Sequence, residues 1–129
     1  MDRTAVALLH TLSDGSSHVD LLVSLQPAAS PDARTLAAFR LDRPPWEIRP
    51  GETACATRLP PHRARYLAYE GPISRNRGAV RQLDTALVTA LRRSEDALDC
   101  RLAWRAHGQQ LLRCDRVAQE RWRICVPAP

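Results

Sequence analysis

An all-β or mainly β chain is predicted, folded as a small closed or partly open antiparallel β-barrel with a groove. Three observations carry that expectation. Strand-length apolar runs recur along the chain, rich in Val, Leu and Thr, and short polar or Pro- and Gly-containing breaks separate them. Short strands at regular spacing are the pattern of an antiparallel barrel or a strongly curled sheet. A hydrophobic share of 44% over 129 residues supplies a core without help from disulfides or a structural metal, so residues 1–129 are read as one domain. Aromatic residues are only 5% of the chain, so that core must be built from Leu, Val and Ala, with a few large pieces such as Phe39, Trp46, Trp104 and Trp122.

Each element is justified in turn. Residues 4–10 read as a first strand ending at His10, and the segment TLSDGSS after it is turn-forming. Residues 18–26 open on His18-Val19-Asp20 and continue into β-branched and aliphatic residues, a second strand. His10 and His18 then stand at the two ends of one hairpin loop, near each other. QPAASPDAR is a polar connection, and residues 35–41 a third strand of uncertain register. The three prolines of DRPPWEIRPG exclude a regular central element over residues 42–51, which becomes a loop carrying Arg43, Trp46 and Arg49.

Residues 53–59 are expected as a short edge strand, stopped by Pro60-Pro61. The remaining strand-length segments are 79–84, 86–92, 98–105, 109–114 and 120–126, with turn neighbourhoods at His107-Gly108 and Asp115-Arg116. A helix over 80–93 is the alternative there, because Val80, Leu83, Leu87, Val88 and Leu91 share a helical face.

Charge and cysteine usage narrow the function classes. The net charge is +5 and all nineteen basic residues are arginine, so every basic contact is capable of bidentate phosphate binding. A basic balance of this kind fits phosphate-bearing partners. Cys55, Cys100, Cys114 and Cys125 are widely spaced with no C-x-x-C, which argues against a zinc ribbon or a redox pair and leaves buried free thiols as the expectation. The apolar run near the amino terminus is too short for a secretory leader, and no stretch approaches a membrane span. A cytoplasmic protein with no membrane partner is expected.

The chemistry-bearing feature is His18-Val19-Asp20. On a strand, residues two apart lie on one face about 6–7 Å from each other, so an imidazole and a carboxylate can lean toward one ion. Further on, Leu59-Pro-Pro-His62-Arg-Ala-Arg-Tyr66-Leu-Ala-Tyr69-Glu70-Gly71-Pro72-Ile73, followed by Gly78-Ala-Val80 and Asp84, forms a second concentration of polar and aromatic residues. Arg63, Arg65, Arg75, Arg77 and Arg81 bracket it as a candidate basic rim.

Together these stretches resemble the 3′-phosphoesterase domain of bacterial DNA ligase D, and more closely the small stand-alone proteins related to that domain. The pattern shared is a His and a Tyr four residues apart (His62 and Tyr66), an acidic-Gly pair (Glu70-Gly71), and upstream a His, a loop and a His-x-Asp strand (His10, His18, Asp20). The resemblance runs in order over about residues 5–85. It implies a β-barrel with an active-site groove and a divalent metal, manganese in the family. It also implies an activity on DNA 3′ ends, removing a terminal ribonucleoside and then the 3′-phosphate, in DNA repair by non-homologous end joining beside a separate ligase or polymerase.

Carried over by position, His10, His18 and Asp20 would be the metal ligands, His62 and Tyr66 the catalytic groups at the scissile phosphate, and Arg43 a further phosphate contact. The chain departs from the pattern at Leu22, where the family has an arginine, at Ser24, where it usually has a glutamate, and at Ala54, where a basic contact is expected and Arg58 is the nearest substitute. Losing one preorganised charged donor costs about 10²–10³ in rate. The alternative reading is therefore a catalytically weak or inactive nucleic-acid-binding relative that keeps the barrel and the metal site. A third is a barrel whose histidines hold a metal for stability alone.

Overall fold

The computed structural model describes residues 3–128. It contains nine strands: β1 (Thr4–Thr11), β2 (Ser17–Ser24), β3 (Leu36–Leu41), β4 (Thr53–His62), β5 (Gly71–Pro72), β6 (Ala79–Arg93), β7 (Ala97–Trp104), β8 (Gly108–Ala118) and β9 (Arg121–Cys125). They form one sheet in the order β1-β2-β3-β4-β9-β8-β7-β6-β5, every pair antiparallel. β1 also pairs with β6, so the hydrogen bonds run round a ring and the sheet is barrel-like, as predicted. Among the described residues no helix is long and apolar enough to cross a membrane.

Side-chain alternation sorts this sheet into two apolar layers. Val19, Leu21 and Val23 of β2, Ala37, Phe39 and Leu41 of β3, and Leu98, Leu102, Leu112, Trp122 and Ile124 from the other side fill the interior, all at most 3% exposed. The alternate positions of β1 to β3 face outward, yet Val6, Leu8, Leu22, Leu36 and Ala38 are buried there too. The segment between β4 and β6 folds back over them, laying Leu67, Tyr66, Tyr69 and Ile73 on that outer face. A sheet buried on both sides explains why β1 to β3 read as nearly continuous apolar runs.

The long strand β6 makes the closure possible. Ala79–Leu87 pairs with β1 on one side, while Ala86–Arg93 pairs with β7 on the other. Register shifts opposite Ala7/Leu8 and between Val88 and Ala90 bend it, as bulges do. The two strands expected at 79–84 and 86–92 are thus one, and the helical alternative at 80–93 is excluded.

Two further expectations are corrected. β4 is neither short nor an edge strand: Thr53–Thr57 pairs with β9, and Leu36 faces His62 across β3. Pro60 and Pro61 are accommodated because pairing with β9 has ended by Thr57 and the β3 ladder carries a bulge at this point. Asp115 and Arg116 lie inside β8, paired with Arg123 and Trp122; the turn comes later, at Gln119, which takes φ +50°. Both residues pair with opposite charges, Asp115 with Arg123 and Arg116 with Asp96, which is why they read as a polar break. Of the cysteines, Cys100 and Cys114 are buried free thiols, with burial pushing Cys100 up to about 12 and Cys114 upward as well. Cys55 is exposed and Cys125 half-buried.

One end of the ring is closed by a polar clasp. Asp84, at the bend of β6, accepts hydrogen bonds from the Thr85 amide (2.8 Å), the Ala106 amide (3.0 Å) and His107 Nδ1 (2.7 Å). The His107 ring stacks on Trp46 at 3.8 Å, and Trp46 packs edge-on against Trp104. Burial alone would raise the Asp84 pKa; the bonds from His107, Ala106 and Thr85 outweigh it and hold the carboxyl below its ordinary value. His107, given no function from the sequence, is thus half of a structural pair.

Candidate metal centre and groove

The antiparallel register of β1 and β2 places His10 directly opposite His18 and Leu8 opposite Asp20. Because Val19, Leu21 and Val23 point inward, His18 and Asp20 must point outward, beside His10. The hairpin between them is tight: Leu12 N donates to Ser16 O, and Asp14 Oδ1 accepts from the Ser16 amide at 2.9 Å. The two histidines are therefore neighbours, as the loop reading expected.

Three side chains converge there. His10 Nδ1 lies 3.1 Å from His18 Nε2 and 3.2 Å from Asp20 Oδ2, and His18 Nε2 lies 3.0 Å from Asp20 Oδ1. Ligands about 2.1 Å from an ion and at right angles to one another stand about 3.0 Å apart, whereas tetrahedral ligands would stand about 3.4 Å apart. The 3.1 Å between the two imidazole nitrogens is that of ligands at right angles, and Asp20 offers one oxygen to each side, a two-imidazole, one-carboxylate set that leaves other positions on an ion open.

Three details fit an ion rather than a self-satisfied polar cluster. Asp20 Oδ1, in a side chain only 6% exposed, has no hydrogen-bond partner despite its nearness to His18. His10 Nε2 donates to the Arg77 carbonyl oxygen at 2.7 Å, which leaves Nδ1 as the bare, ligating nitrogen of the neutral ring. Burial pushes His18 below its ordinary pKa, and the charges of Arg40 and His10 act in the same direction against the opposing Asp20. A neutral imidazole is the form that ligates.

The Arg77 carbonyl reaches His10 because the turn Ser74 to Gly78 packs against the end of β1. Gly78 sits at φ +87°, and a Cβ there would lie 1.9 Å from the Thr11 carbonyl oxygen, so only glycine permits the contact. Arg77 in turn holds Ser74, donating from Nε to its carbonyl at 2.9 Å. No sequence signal points to a backbone oxygen as a partner of His10; the glycine alone hints at a close approach.

His10 and Asp20 open into a groove of about 480 Å³ whose lining also includes His62 and Tyr66. His62 ends β4, and a 3-10 turn, Ala64–Leu67, places Tyr66 beside it with ring centroids 6.1 Å apart. His62 Nδ1 donates to the Pro60 carbonyl at 2.8 Å, so the neutral ring presents a bare Nε2. Glu70 is a structural acceptor, taking the Gln82 amide at 2.8 Å, and Tyr69 donates to the Pro72 carbonyl while packing on the outer apolar layer.

The arginine rim is only partly as expected. Arg63, Arg75 and Arg77 line the groove, joined by Arg34 from the β2–β3 connection, which the sequence reading did not single out. Arg65 is tied to Asp32 instead, and Arg81 stands opposite Leu9 on β6. Arg43 lies beyond β3 with its Nε 3.2 Å from Asp42 Oδ1, outside the groove's lining. Arg58 does not replace the basic contact missing at Ala54: its guanidinium points into the ring, 4.9 Å from the centroids of both Phe39 and Trp122. Leu22 is fully buried in the outer apolar layer.

The chain matches no protein-family model, and no curated protein matches it.

Proposed function

We propose that this protein is a metal-dependent phosphoesterase acting on nucleic-acid 3′ ends, with DNA 3′-phosphate or 3′-ribonucleoside termini as substrates. The observation that carries the reading is the convergence of His10 Nδ1, His18 Nε2 and Asp20 on one point at the edge of a groove that also holds His62, Tyr66 and an arginine rim. The sequence resemblance to the 3′-phosphoesterase domain of DNA ligase D supplies the substrate class and manganese as the metal.

His10, His18 and Asp20 would hold the ion, and it would supply Lewis-acid withdrawal of charge from a bound phosphate ester. The chain's own residues do the rest. His62, with Nδ1 engaged by Pro60, offers Nε2 either to accept a hydrogen bond from the substrate or, when protonated, to donate to the departing oxygen. Tyr66 can hydrogen-bond a phosphoryl oxygen, and Arg34, Arg63, Arg75 and Arg77 surround the groove with fixed positive charge as negative charge builds on it.

The test is turnover of oligonucleotides ending in a 3′-phosphate or a single 3′-ribonucleotide, with Mn²⁺, by the wild-type protein and by His18→Ala. Turnover lost in the variant supports the reading; wild-type turnover no higher than the variant's removes it. The burial of Leu22 favours one second reading, a protein that binds such ends without cleaving them, because that position supplies an apolar contact and no charge to the groove. Salt-dependent binding of the same oligonucleotides with no product would select it.

A further inference from the structure

Outside the groove, the sheet register lines up a second feature. Asp20 on β2 faces Arg40 on β3, Arg40 faces Thr57 on β4, and Thr57 faces Arg121 on β9. Directly opposed residues in an antiparallel sheet share a face. Phe39, Leu41, Ala56 and Trp122, their chain neighbours, point inward, so this whole row points outward. It starts at a candidate metal ligand on β2 and runs across β3, β4 and β9. Arg40, Thr57 and Arg121 also line a shallow surface hollow of about 300 Å³.

Two properties of the row point to an anionic occupant. Arg40 and Arg121 are exposed, and neither makes an ion pair among the described residues, unlike Arg65, Arg116 and Arg123. Their Cα atoms stand two strand spacings apart, about 10 Å, with the Thr57 hydroxyl between them. Arginine side chains on Cα atoms at this spacing reach either one phosphate or two successive ones; the row's start beside Asp20, a groove residue, favours a strand of phosphates over a lone one. A chain of phosphates leading away from the metal centre matches the spacing and the direction.

We propose that Arg40, Thr57 and Arg121 form a backbone-binding track for a nucleic-acid strand whose 3′ end lies in the groove. This rests on the proposed function for where the strand ends. The track grips phosphates and carries no base-reading groups, so it would bind without sequence preference. Its contribution would be affinity and register, holding the strand while its terminus occupies the site beside His62.

The experiment is equilibrium binding of a single-stranded oligonucleotide of about twelve nucleotides ending in a plain 3′-hydroxyl, across a salt series. The proteins compared are the wild type, Arg40→Ala/Arg121→Ala and, as a control on an exposed turn, Arg105→Ala. Each arginine–phosphate ion pair removed lowers the slope of log affinity against log salt by about 0.7, so the double variant should lose about 1.4 and Arg105→Ala almost nothing. Unchanged slope and affinity in the double variant overturn the track, as does a wild-type protein that binds no oligonucleotide. Equal competition by polyglutamate or by phosphatidylglycerol vesicles overturns the nucleic-acid assignment. A wild-type protein that binds with the expected slope but turns over neither 3′-modified substrate removes the phosphoesterase reading and leaves the track standing.

Discussion

Replacing Gly78 by alanine tests whether the turn over β1 sets up the candidate metal centre. The new Cβ would meet the Thr11 carbonyl oxygen at 1.9 Å, and Leu12 Cα at 2.9 Å, so backbone on one side must move by more than an ångström. The left-handed φ of +87° adds its own cost, about 1–2 kcal/mol for a residue with a Cβ. Gly15, at φ +90° in the β1–β2 hairpin, provides the control, since nothing lies within 4 Å of a Cβ there. Gly15→Ala should therefore show the φ cost alone, a melting temperature lower by several degrees, about 4–8 °C per kcal/mol for a domain near this size.

Gly78→Ala should show that cost plus displacement of Arg77, whose carbonyl orients His10 through a 2.7 Å bond. Loss of such an orienting bond typically lowers metal affinity by about 10–100-fold. The assay is Mn²⁺ titration followed by electron paramagnetic resonance, with ¹⁵N chemical shifts of His10 reporting whether Nε2 still carries the proton. A Gly78→Ala protein that stays folded, keeps the Nε2–H tautomer and binds Mn²⁺ like Gly15→Ala would refute the argument that the turn positions the ligand.

The clasp at the ring's end predicts a pH-dependent stability. Asp84→Ala strands two backbone donors and His107 at a nearly buried site and should cost about 3–5 kcal/mol in urea denaturation. Because the folded carboxyl is held below its ordinary 3.8, its contribution is complete above that value and drains away as pH falls through the lower folded pKa; the wild-type minus Asp84→Ala difference should shrink only there. Leu22→Arg puts a cation into a fully buried apolar layer and should cost at least about 3 kcal/mol by the same measurement. A Leu22→Arg protein as stable as the wild type would show that the outer layer opens readily to water.

What could be read from the sequence follows from where the governing contacts are local. The strands of the first half were legible because their alternation and their turn residues are near-neighbour features, and His10, His18 and Asp20 could be grouped because one hairpin joins them. The errors arise where long-range pairing decides. Pro60-Pro61 signals a strand end by local rules, yet β4 continues because the pairing with β9 has stopped before the prolines and a bulge absorbs them. Asp115-Arg116 resembles a turn only until Arg123 and Asp96 are seen to partner it. Arg40 could not be singled out with the third strand's register uncertain, since one residue of slip would have pointed it into the core. Arg34 and the Arg77 carbonyl reach the site from loops whose placement no periodicity encodes.

The two apolar layers also separate the consequences of mutation. Inward residues such as Phe39 and Trp122 hold the ring closed, whereas the groove depends on a second layer in which Tyr66, Leu67 and Ile73 pin the β4–β6 segment to Val6, Leu8 and Leu22. His10, His18 and Asp20 lie on β1 and β2 and His62 ends β4, all strands of the ring, whereas Tyr66 belongs to the pinned segment. Outer-layer packing, together with the bond from His10 to the Arg77 carbonyl, thus brings Tyr66 and the arginine-bearing turn to the candidate metal centre. An apolar Leu22 is in keeping with that packing: a charged residue at this point on β2 would sit beneath the segment that carries Tyr66, and the burial that fixes Tyr66 at the groove would be lost.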